Sequence, residues 1–443
     1  MQLVYNVEDK PNFGKTLLFA FQQLLAIMAA TIAVPAIIGN GMSATAALFG
    51  AGVGTIVYLL FTRSKSPVFL GSSFAFIGSM FAAFGGAASA AAGYLGLILG
   101  ALFAGLVYVV LAIIVKAVGT GWIDKLMPAV VIGPTVAIIG LSLAGNAVGD
   151  LMSGNVMAGE VQAANPYICL IIGLVTLFVT MFCSVFGKKM LKLIPFIIGI
   201  VVGYVLAAIL TAIGNAAGID ALKIIDFSKF AAMTWVPDFS FLTAVKGFGD
   251  LSASYVLTLL VAYAPVAFVV FAEHIADHKN LSTIINRDLL KEPGLDRTLL
   301  GDGIGSFCGA IFGGCPNTTY GESIACVAIS GNASVRTIWC TAFLAIIISF
   351  FGPFATVLAT IPTCVMGGVC MALYGFIAVS GLKMIQKVDL NENPNMFVVS
   401  VILIAGIGGL SVNFGSVTIT EVASALILGI ITNLVLRKKQ KKA

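Results

Sequence analysis

A succession of long apolar runs, separated by short polar breaks, occupies most of this 443-residue sequence. A helix that crosses a bilayer needs roughly 20 mostly apolar residues, and about 14 runs approach or reach that length. The sequence therefore predicts an all-α polytopic membrane protein, because the runs are too long and continuous for the strands of an outer-membrane barrel. The predicted spans lie near residues 15–39, 42–62, 67–84, 92–115, 126–146, 166–187, 191–214, 252–275, 298–313, 317–331, 335–361, 363–381, 395–412 and 417–436.

The sparse charge supports this class of protein. Only 10% of the residues are charged and 59% are hydrophobic, whereas an average soluble domain carries roughly 25% charged residues. A soluble protein of this composition would expose large apolar patches, which argues against a soluble enzyme, a nucleic-acid-binding protein and a disordered chain. His274 and His278 are the only histidines, and the eight cysteines form no C-x-x-C pair. We therefore expect no metal site, no cofactor and no enzymatic activity.

The positions of the basic residues predict the topology. Of the 24 lysines and arginines, all except Lys223, Lys229 and Lys246 fall in loops that would be cytoplasmic if the N-terminus is cytoplasmic. Cytoplasmic loops collect positive charge, so this pattern predicts an even number of spans with both termini inside the bacterial cytoplasmic membrane. The net charge of +5 then reflects topology and gives no reason to expect a nucleic-acid partner.

Two interrupted spans occupy matching positions in the two halves of the chain. A polar segment at 215–250 separates seven predicted spans from seven, and an odd number predicts that the second half is inserted upside down. The third span of each half, at 67–76 and 313–322, is rich in Gly, Ser and Thr and contains a proline. Such spans can leave the helix and expose backbone N–H groups to a binding site, which Ser72 and Asn317 would support. The alternative is a small-residue packing face.

Two acidic residues lie where charge is costly. Glu273 follows the apolar run 266–272, and Glu322 lies inside the second interrupted span. An ionised carboxylate at that depth costs several kcal/mol, so such a residue is a functional candidate. A dry site favours the neutral form, and a carboxyl that alternates between the two forms can carry a proton. The alternative is a protonated Glu that holds two helices together.

Further polar residues surround this pair in the sequence. Asp277 lies one helical turn beyond Glu273 and shares its face, which makes it a third candidate for proton coupling. His274 and His278 flank the same face, and Asp302 lies in a Gly-Asp-Gly sequence near the start of its span. We expect these three residues to support the site.

The predicted groups suit a flat, neutral solute. Backbone N–H donors and two carboxyl acceptors match a molecule whose edge alternates C=O and N–H, as a nucleobase such as uracil does. An inorganic anion fits poorly, because no Lys or Arg lies deep within a span. The residues alone therefore predict a proton-coupled carrier of a small, polar, uncharged solute.

Several motifs give the sequence a family resemblance. With these motifs the chain resembles the nucleobase–ascorbate transporter family, and within it the bacterial uracil permeases. The Ala-Glu-His and Pro-Asn-Thr-Thr-Tyr-Gly-Glu strings are the most specific of them. The motifs lie at 21–26, 34–35, 70–77, 119–122, 272–274, 288–290, 293–295, 316–322 and 365–369.

The resemblance implies a fold and a domain division. It implies 14 spans in two inverted repeats of seven, with a short strand in each of spans 3 and 10. Residues 1–122 and 241–361 would form a core domain, and residues 123–240 and 362–443 a gate domain. It also suggests a homodimer that forms through the gate domain.

The resemblance further implies how a base is held. Glu273 and Glu322 would bind it through their carboxyls, while Phe74 and Gly321 would donate backbone N–H groups. Tyr320 would pack on the ring, and Ala30 would line the pocket. The resulting hypothesis is a proton-coupled uracil symporter that works by alternating access. The alternatives are a xanthine or other purine permease of the same family and an anion exchanger of the same fold.

The sequence departs from the family pattern at two places. Asp277 stands where uracil permeases often have His, for which His274 or His278 could substitute. The residues after Glu322 are Ser-Ile-Ala at 323–325, where the family usually continues as Asn-x-Gly. Xanthine and urate carriers of the family tend to have Gln at position 322, so Glu322 favours uracil over purines.

Overall fold

The computed structural model describes residues 3–158, 161–188, 190–414 and 417–440. Lys189, Lys441 and Lys442, three of the residues used to assign the loops, lie outside these ranges. The described chain is mostly helical, and its few strands form three two-stranded sheets. The prediction of an all-α protein with short strands is therefore confirmed.

The first half of the chain contains ten helices and three strands among its described residues. A 3-10 turn at Phe74–Phe76 joins the first strand to the third helix. The elements are α1 (Phe13–Ile38), α2 (Ala44–Phe61), β1 (Leu70–Ser72), α3 (Ile77–Gly85), α4 (Ala90–Val118), α5 (Ile123–Leu126), α6 (Ala129–Ser142), α7 (Ala144–Asp150), β2 (Met157–Ala158), β3 (Val161–Gln162), α8 (Pro166–Phe186), α9 (Met190–Leu193) and α10 (Pro195–Ala217).

The second half follows a segment at 218–252 that carries short helical turns. Its elements are α11 (Ser240–Ala244), α12 (Ala253–Ile285), α13 (Leu295–Gly313), β4 (Asn317–Thr319), α14 (Gly321–Ser330), α15 (Val335–Ser349), α16 (Gly352–Thr360), α17 (Thr363–Ile385), α18 (Asn393–Ile407), β5 (Val412–Phe414), β6 (Val417–Ile419) and α19 (Glu421–Gln440).

The helices account for the predicted spans. Eight described helices are long and apolar enough to cross a membrane, and α15 and α16 form one bent pair with an angle of 82°. Four shorter apolar helices and the more polar α13 complete the fourteen predicted segments. The shorter helices include the two at Phe74–Gly85 and Gly321–Ser330, which lie in the interrupted spans.

One boundary prediction was wrong by about three helical turns. The eighth span was expected to end at residue 275, but α12 continues to Ile285. The apolar run stops at Glu273, yet the helix persists because its polar side chains find partners inside the protein. For example, His278 Nε2 lies 2.7 Å from Tyr58 Oη.

The two interrupted spans meet in a short antiparallel ribbon. Strand β1 pairs with β4, and Gly71 lies opposite Thr318. Backbone hydrogen bonds from Ser73 and Tyr320 extend the pairing at both ends. Two segments at matching places in an inverted repeat run in opposite directions, so antiparallel pairing between them is the arrangement expected of such a repeat.

In each strand of this ribbon, one backbone N–H donates a hydrogen bond to a side-chain hydroxyl. The hydroxyl belongs to the preceding span of the same half of the chain. The N–H of Leu70 donates to Thr55 Oγ1 on α2 at 2.9 Å. In the second half, the N–H of Asn317 donates to Ser306 Oγ on α13, also at 2.9 Å. Backbone groups that leave a helix inside a membrane need such partners, and the two halves satisfy this need in the same way.

Glycines bring α2 and α13 into backbone contact. A Cβ atom on Gly50 would lie 2.3 Å from the carbonyl oxygen of Gly309, and one on Gly54 would lie 2.7 Å from that of Gly305. No larger residue fits at these positions without moving a helix. This contact joins the two halves of the chain directly behind the ribbon.

The N-terminal segment crosses one end of the helix bundle, which we call the terminal end. Tyr5 bridges to Asn332 in the loop between α14 and α15. Glu292, in the loop between α12 and α13, pairs with Lys65 and Arg287. The hydrogen bond from Lys65 and the two positive charges hold the pKa of Glu292 below its usual range. These contacts tie three loops and the N-terminus together.

Large apolar side chains cover the outside of the bundle. On α8 the exposed fraction is 60% for Ile171, 62% for Phe182 and 72% for Phe186. On α10, Val201 and Ile209 are each 53% exposed. Continuous apolar surface of this kind needs a lipid environment, as expected of a multi-pass membrane protein.

Candidate substrate-binding site

Two half-helices begin on either side of the β1–β4 ribbon. The 3-10 turn at Phe74–Phe76 follows β1, and α14 begins at Gly321 directly after β4. The first N–H groups of a helix have no partner within that helix, and together they carry a partial positive charge. The ribbon therefore places two sets of backbone donors close to one another. They include the predicted donors at Phe74 and Gly321.

Three carboxyls lie beside these donors. Glu273 and Asp277 are half-buried on α12, and Glu322 is half-buried in the first turn of α14. Asp277 lies one helical turn after Glu273 on the same face of α12. Thr319 Oγ1 on β4 donates to Asp277 Oδ2 at 2.7 Å. The structure therefore brings together the three residues that the sequence singled out for proton coupling.

The Tyr320 ring packs on the backbone of β1. A Cβ atom on Gly71 would lie 2.3 Å from Cε2 and Cζ of that ring, so only glycine fits there. The Tyr320 hydroxyl donates to the carbonyl oxygen of Ser72 at 2.8 Å. The ring position is therefore set by the ribbon, one residue before the start of α14.

Ser323 joins three elements beneath the site. Its hydroxyl accepts hydrogen bonds from the Gln23 side chain on α1 and from the N–H of Phe69. Gln23 Nε2 also reaches the carbonyl oxygen of Ser323. Because Gln23 and Ser323 are buried, these bonds lock α1 and β1 against the first turn of α14.

Helices α1 and α17 pack beside these elements, and the lining of the pocket by Ala30 stays a prediction. Ala30 on α1 is 1% exposed. The ring of Phe74 meets the ring of Tyr374 on α17 edge-on, with 5.9 Å between ring centroids. Phe74 therefore lies where the broken third span touches the second half of the chain.

Comparisons with known proteins agree with this architecture. The model of a family described as "Permease family" matches residues 14–414. The chain belongs to this permease family. It is 38% identical over 455 residues to the uracil permease of Bacillus caldolyticus, covering 99% of this chain and 96% of that protein. It is 36% identical to the uracil permease of Escherichia coli K12, covering 97% and 93%.

Solved structures show the same fold at low sequence identity. The transmembrane domain of the cyanobacterial bicarbonate transporter BicA matches with a TM-score of 0.62 at 17% identity, covering 97% of this chain and 100% of that one. The murine anion transporter Slc26a9 matches with a TM-score of 0.66 at 12% identity, covering 98% and 69%. Both belong to transporters, and at these identities they establish the fold alone.

The two histidines of the permease point away from the ribbon. His274 Nδ1 lies 2.7 Å from Asp302 Oδ2, and its Nε2 lies 3.0 Å from Thr298 Oγ1. His278 Nδ1 lies 2.8 Å from the carbonyl oxygen of His274, and its Nε2 contacts Tyr58. Both rings therefore face α13 and α2, and neither is placed to substitute for a His at position 277. Their supporting role, and that of Asp302, would act through helix packing.

Asn317 and Ser72 also lie behind the site. Asn317 Nδ2 donates to the carbonyl oxygen of Gly50 at 3.2 Å. A Cβ atom on Gly309 would lie 2.1 Å from the same nitrogen, so the Asn317 side chain is wedged between α2 and α13. Ser72 is fully buried, and its carbonyl holds Tyr320. Both residues position the ribbon, and a direct contact with solute stays a prediction.

Four residues of the site were not identified from the sequence: Gln23, Thr319, Ser323 and Tyr374. Gln23 carried a usable signal, because a buried amide inside an apolar span is costly without a partner. Thr319 and Ser323 were noted only as part of a motif and as a departure from the family pattern, and the type of residue at these positions or at 374 gave no sign of a role, since Ser, Thr and Tyr occur throughout the sequence. Among the described residues, no group of three or more potential metal ligands occurs.

Replacing Thr319 with Val should lower transport while leaving the fold intact. The substitution keeps the shape of the side chain but removes the hydroxyl that orients Asp277, a hydrogen bond to an acidic group worth about 1.5–3 kcal/mol. We expect kcat/KM for solute uptake to fall about tenfold or more. Thr318→Val is the matched control, because the Thr318 hydroxyl is buried without a hydrogen-bond partner among the described residues. Equal loss in both variants would contradict the role given to Thr319.

Proposed function

We propose that this permease is a secondary active transporter that imports uracil together with a proton. The observation that carries the proposal is the grouping of Glu273, Asp277 and Glu322 beside the two half-helix starts. The relatives that are named uracil permease, and that match nearly the whole chain, support the same solute. No cofactor is required, since the proton is the coupling ion.

The geometry suits the edge of a uracil ring. Uracil presents two N–H and two C=O groups, so it needs acceptors and donors in the same plane. The carboxyls of Glu273 and Glu322 supply acceptors, and the N–H groups of Phe74 and Gly321 supply donors. Tyr320 and Ala30 then bound the ring from its faces.

Proton coupling follows from the cost of moving charge. An empty site with charged carboxylates is stabilised by water and opposes passage through a dry barrier. Protonation of Glu273, followed by uracil binding, removes that penalty, so the loaded form crosses more readily than the empty charged form. Asp277, one helical turn from Glu273, and Glu322 would be further carriers for the proton. Binding and protonation therefore shift the same conformational equilibrium.

We propose that a core domain moves against a gate domain. The β1–β4 ribbon and the α2–α13 contact support a core made of residues 1–122 and 241–361. The gate, at 123–240 and 362–443, is supported by close glycine packing of α17 on α6 and α8. Phe74 and Tyr374 meet between the two. Alternating access would come from sliding along that boundary.

The proposed location is the bacterial cytoplasmic membrane, with the terminal end of the bundle facing the cytoplasm. The charge bias of the loops supports this orientation. The opposite end, which carries the 218–252 segment, would then face outward. A homodimer through the gate domain remains part of the proposal, and the exposed apolar faces of α8 and α10 are available for it or for lipid.

Purified transporter in proteoliposomes should accumulate labelled uracil when a proton gradient is directed inward. A protonophore should reduce uptake to simple equilibration, because the carrier then has no gradient to use. A sodium gradient imposed alone is the matched control and should give no accumulation. Accumulation that is unaffected by the protonophore would contradict proton coupling but not uracil transport.

Competition distinguishes the rival solutes. Unlabelled uracil should displace labelled uracil fully, while xanthine and bicarbonate at the same concentration should have little effect. Stronger competition by xanthine would identify a purine permease. Competition by bicarbonate alone would favour an anion exchanger of the same fold.

A further inference from the structure

A second cavity opens at the end of the bundle that carries the 218–252 segment. Its volume is about 670 Å³, within the range of small-molecule sites. Its walls come from α1 and α2 on one side and from α16 and α17 on the other. None of Glu273, Glu322 and Phe74 is among the described residues that line it. It is therefore distinct from the site at the ribbon.

The cavity nevertheless shares two helices with that site. Ile32 on α1 lines it and is two residues, about 3 Å along the helix axis, beyond Ala30, on nearly the opposite face of the helix. Met366 on α17 also lines it, and it precedes Tyr374 by eight residues, about 12 Å. These two helices therefore run from the cavity towards the region of the ribbon.

Two carboxylates line this cavity, Asp150 and Asp238, and Asp150 is the less exposed of the two. Asp150, at the end of α7, is half-buried and lines the cavity. Among the described residues, none donates a hydrogen bond to it and no basic side chain lies within the ion-pair distance of 4.0 Å, whereas Asp220 pairs with Lys223. An acceptor held in a cleft without a donor is available to a ligand.

The backbone holds Asp150 in place. A Cβ atom on Gly367 of α17 would lie 2.9 Å from the Cβ of Asp150 and 2.8 Å from the N of Leu151. The end of α7 therefore rests directly on α17, and the position of the carboxylate is set by helix packing. Nearby, the amide of Asn155 is committed to Ile361 and Thr363, so Asp150 is the half-buried acceptor on this wall.

We propose that this cavity is a second, weaker binding site for a neutral N–H-bearing heterocycle, in which Asp150 accepts a ring N–H before the solute moves to the ribbon. The inference rests on the proposed function for the solute and for the outward orientation. Lys229 also lines the cavity, and its Nζ donates to the carbonyl oxygen of Ala359. Binding at Asp150 raises the local concentration of solute on the outer side of the central site.

Equilibrium binding separates the two sites. Saturation-transfer NMR with uracil on purified Glu322→Gln transporter, whose central site is disabled, should retain a weak signal. Adding Asp150→Asn should remove that signal, and adding Asp220→Asn should leave it unchanged. Asp220 is exposed on the same end of the bundle and does not line the cavity. A signal that survives Asp150→Asn, or that is missing from Glu322→Gln alone, would overturn the inference.

Transport provides the second readout. Asp150→Asn alone should lower kcat/KM for uracil uptake about 3- to 10-fold, the effect of one lost hydrogen bond, with kcat unchanged. The thermal shift caused by uracil at the central site should remain, which shows that the variant is folded. A fall in kcat with KM unchanged would overturn the inference. If wild-type transporter shows no uracil-dependent shift at all, the proposed solute is wrong, and that result is distinct from a failure at Asp150.

Discussion

Glu322→Gln should reduce uracil uptake about 100-fold or more, with little change in the amount of folded protein. Gln keeps the size of the side chain but presents an NH₂ group where a ring N–H must be accepted. It also cannot take up or release a proton. Losing a charged hydrogen bond and leaving its partner unpaired costs about 2–5 kcal/mol. Uptake of labelled uracil into proteoliposomes measures the loss.

A matched substitution tests whether the loss of uptake depends on where the carboxyl lies, and not merely on removing one negative charge. Glu392→Gln, at the exposed N-cap of α18, should transport normally. Glu273→Gln should be as inactive as Glu322→Gln, because both carboxyls are proposed to contact the same solute. A fully active Glu322→Gln transporter would refute the role assigned to this residue. Activity lost only in Glu273→Gln would reduce the site to a single carboxyl.

Gly71→Ala should destabilise the ribbon and abolish tight uracil binding. The new methyl group would lie 2.3 Å from two carbons of the Tyr320 ring, so the ring must move away from the start of α14. Overpacking of this kind costs about 1–3 kcal/mol. We expect a lower thermal unfolding midpoint and loss of the uracil-dependent shift in that midpoint.

Two further variants show whether the clash itself is responsible. Gly375→Ala on α17 adds a methyl group into open space and should leave stability and transport unchanged. Gly71→Ala combined with Tyr320→Leu relieves the clash, so stability should return while tight binding does not. If the double variant is as unstable as Gly71→Ala alone, the backbone of β1 requires glycine for a reason other than the Tyr320 ring.

The broken spans could be predicted because the residues that interrupt them lie within short stretches of the sequence. Small polar residues and a proline at 67–76 and 313–322 shorten the apolar runs at matching places. Backbone that leaves a helix in a membrane needs a partner, and the two segments supply one another. The prediction of short strands came from the family resemblance, and the register between Gly71 and Thr318 required the structure.

The partners of the polar side chains could not be predicted in the same way. Helical periodicity placed His274 and His278 beside the Glu273 face, but it does not say which neighbouring helix covers each flank. α13 and α2 cover them and supply Asp302 and Tyr58. Likewise, the sequence showed Ser323 only as a departure from the family pattern. In the structure its hydroxyl accepts hydrogen bonds from the Gln23 side chain and from the N–H of Phe69.

The ribbon also sets the order in which the protein can be assembled. Its two strands are far apart in the chain, and Tyr320 bonds to Ser72 across 248 residues. At a synthesis rate of about 5–20 residues per second, the ribosome needs roughly 12–50 seconds to cover that distance. Until then the backbone of β1 has no strand to pair with, in a medium where unpaired backbone is costly. The first half must therefore remain incompletely folded in the membrane until the second half has been synthesised. During that time its unpaired backbone needs protection from lipid and from proteases.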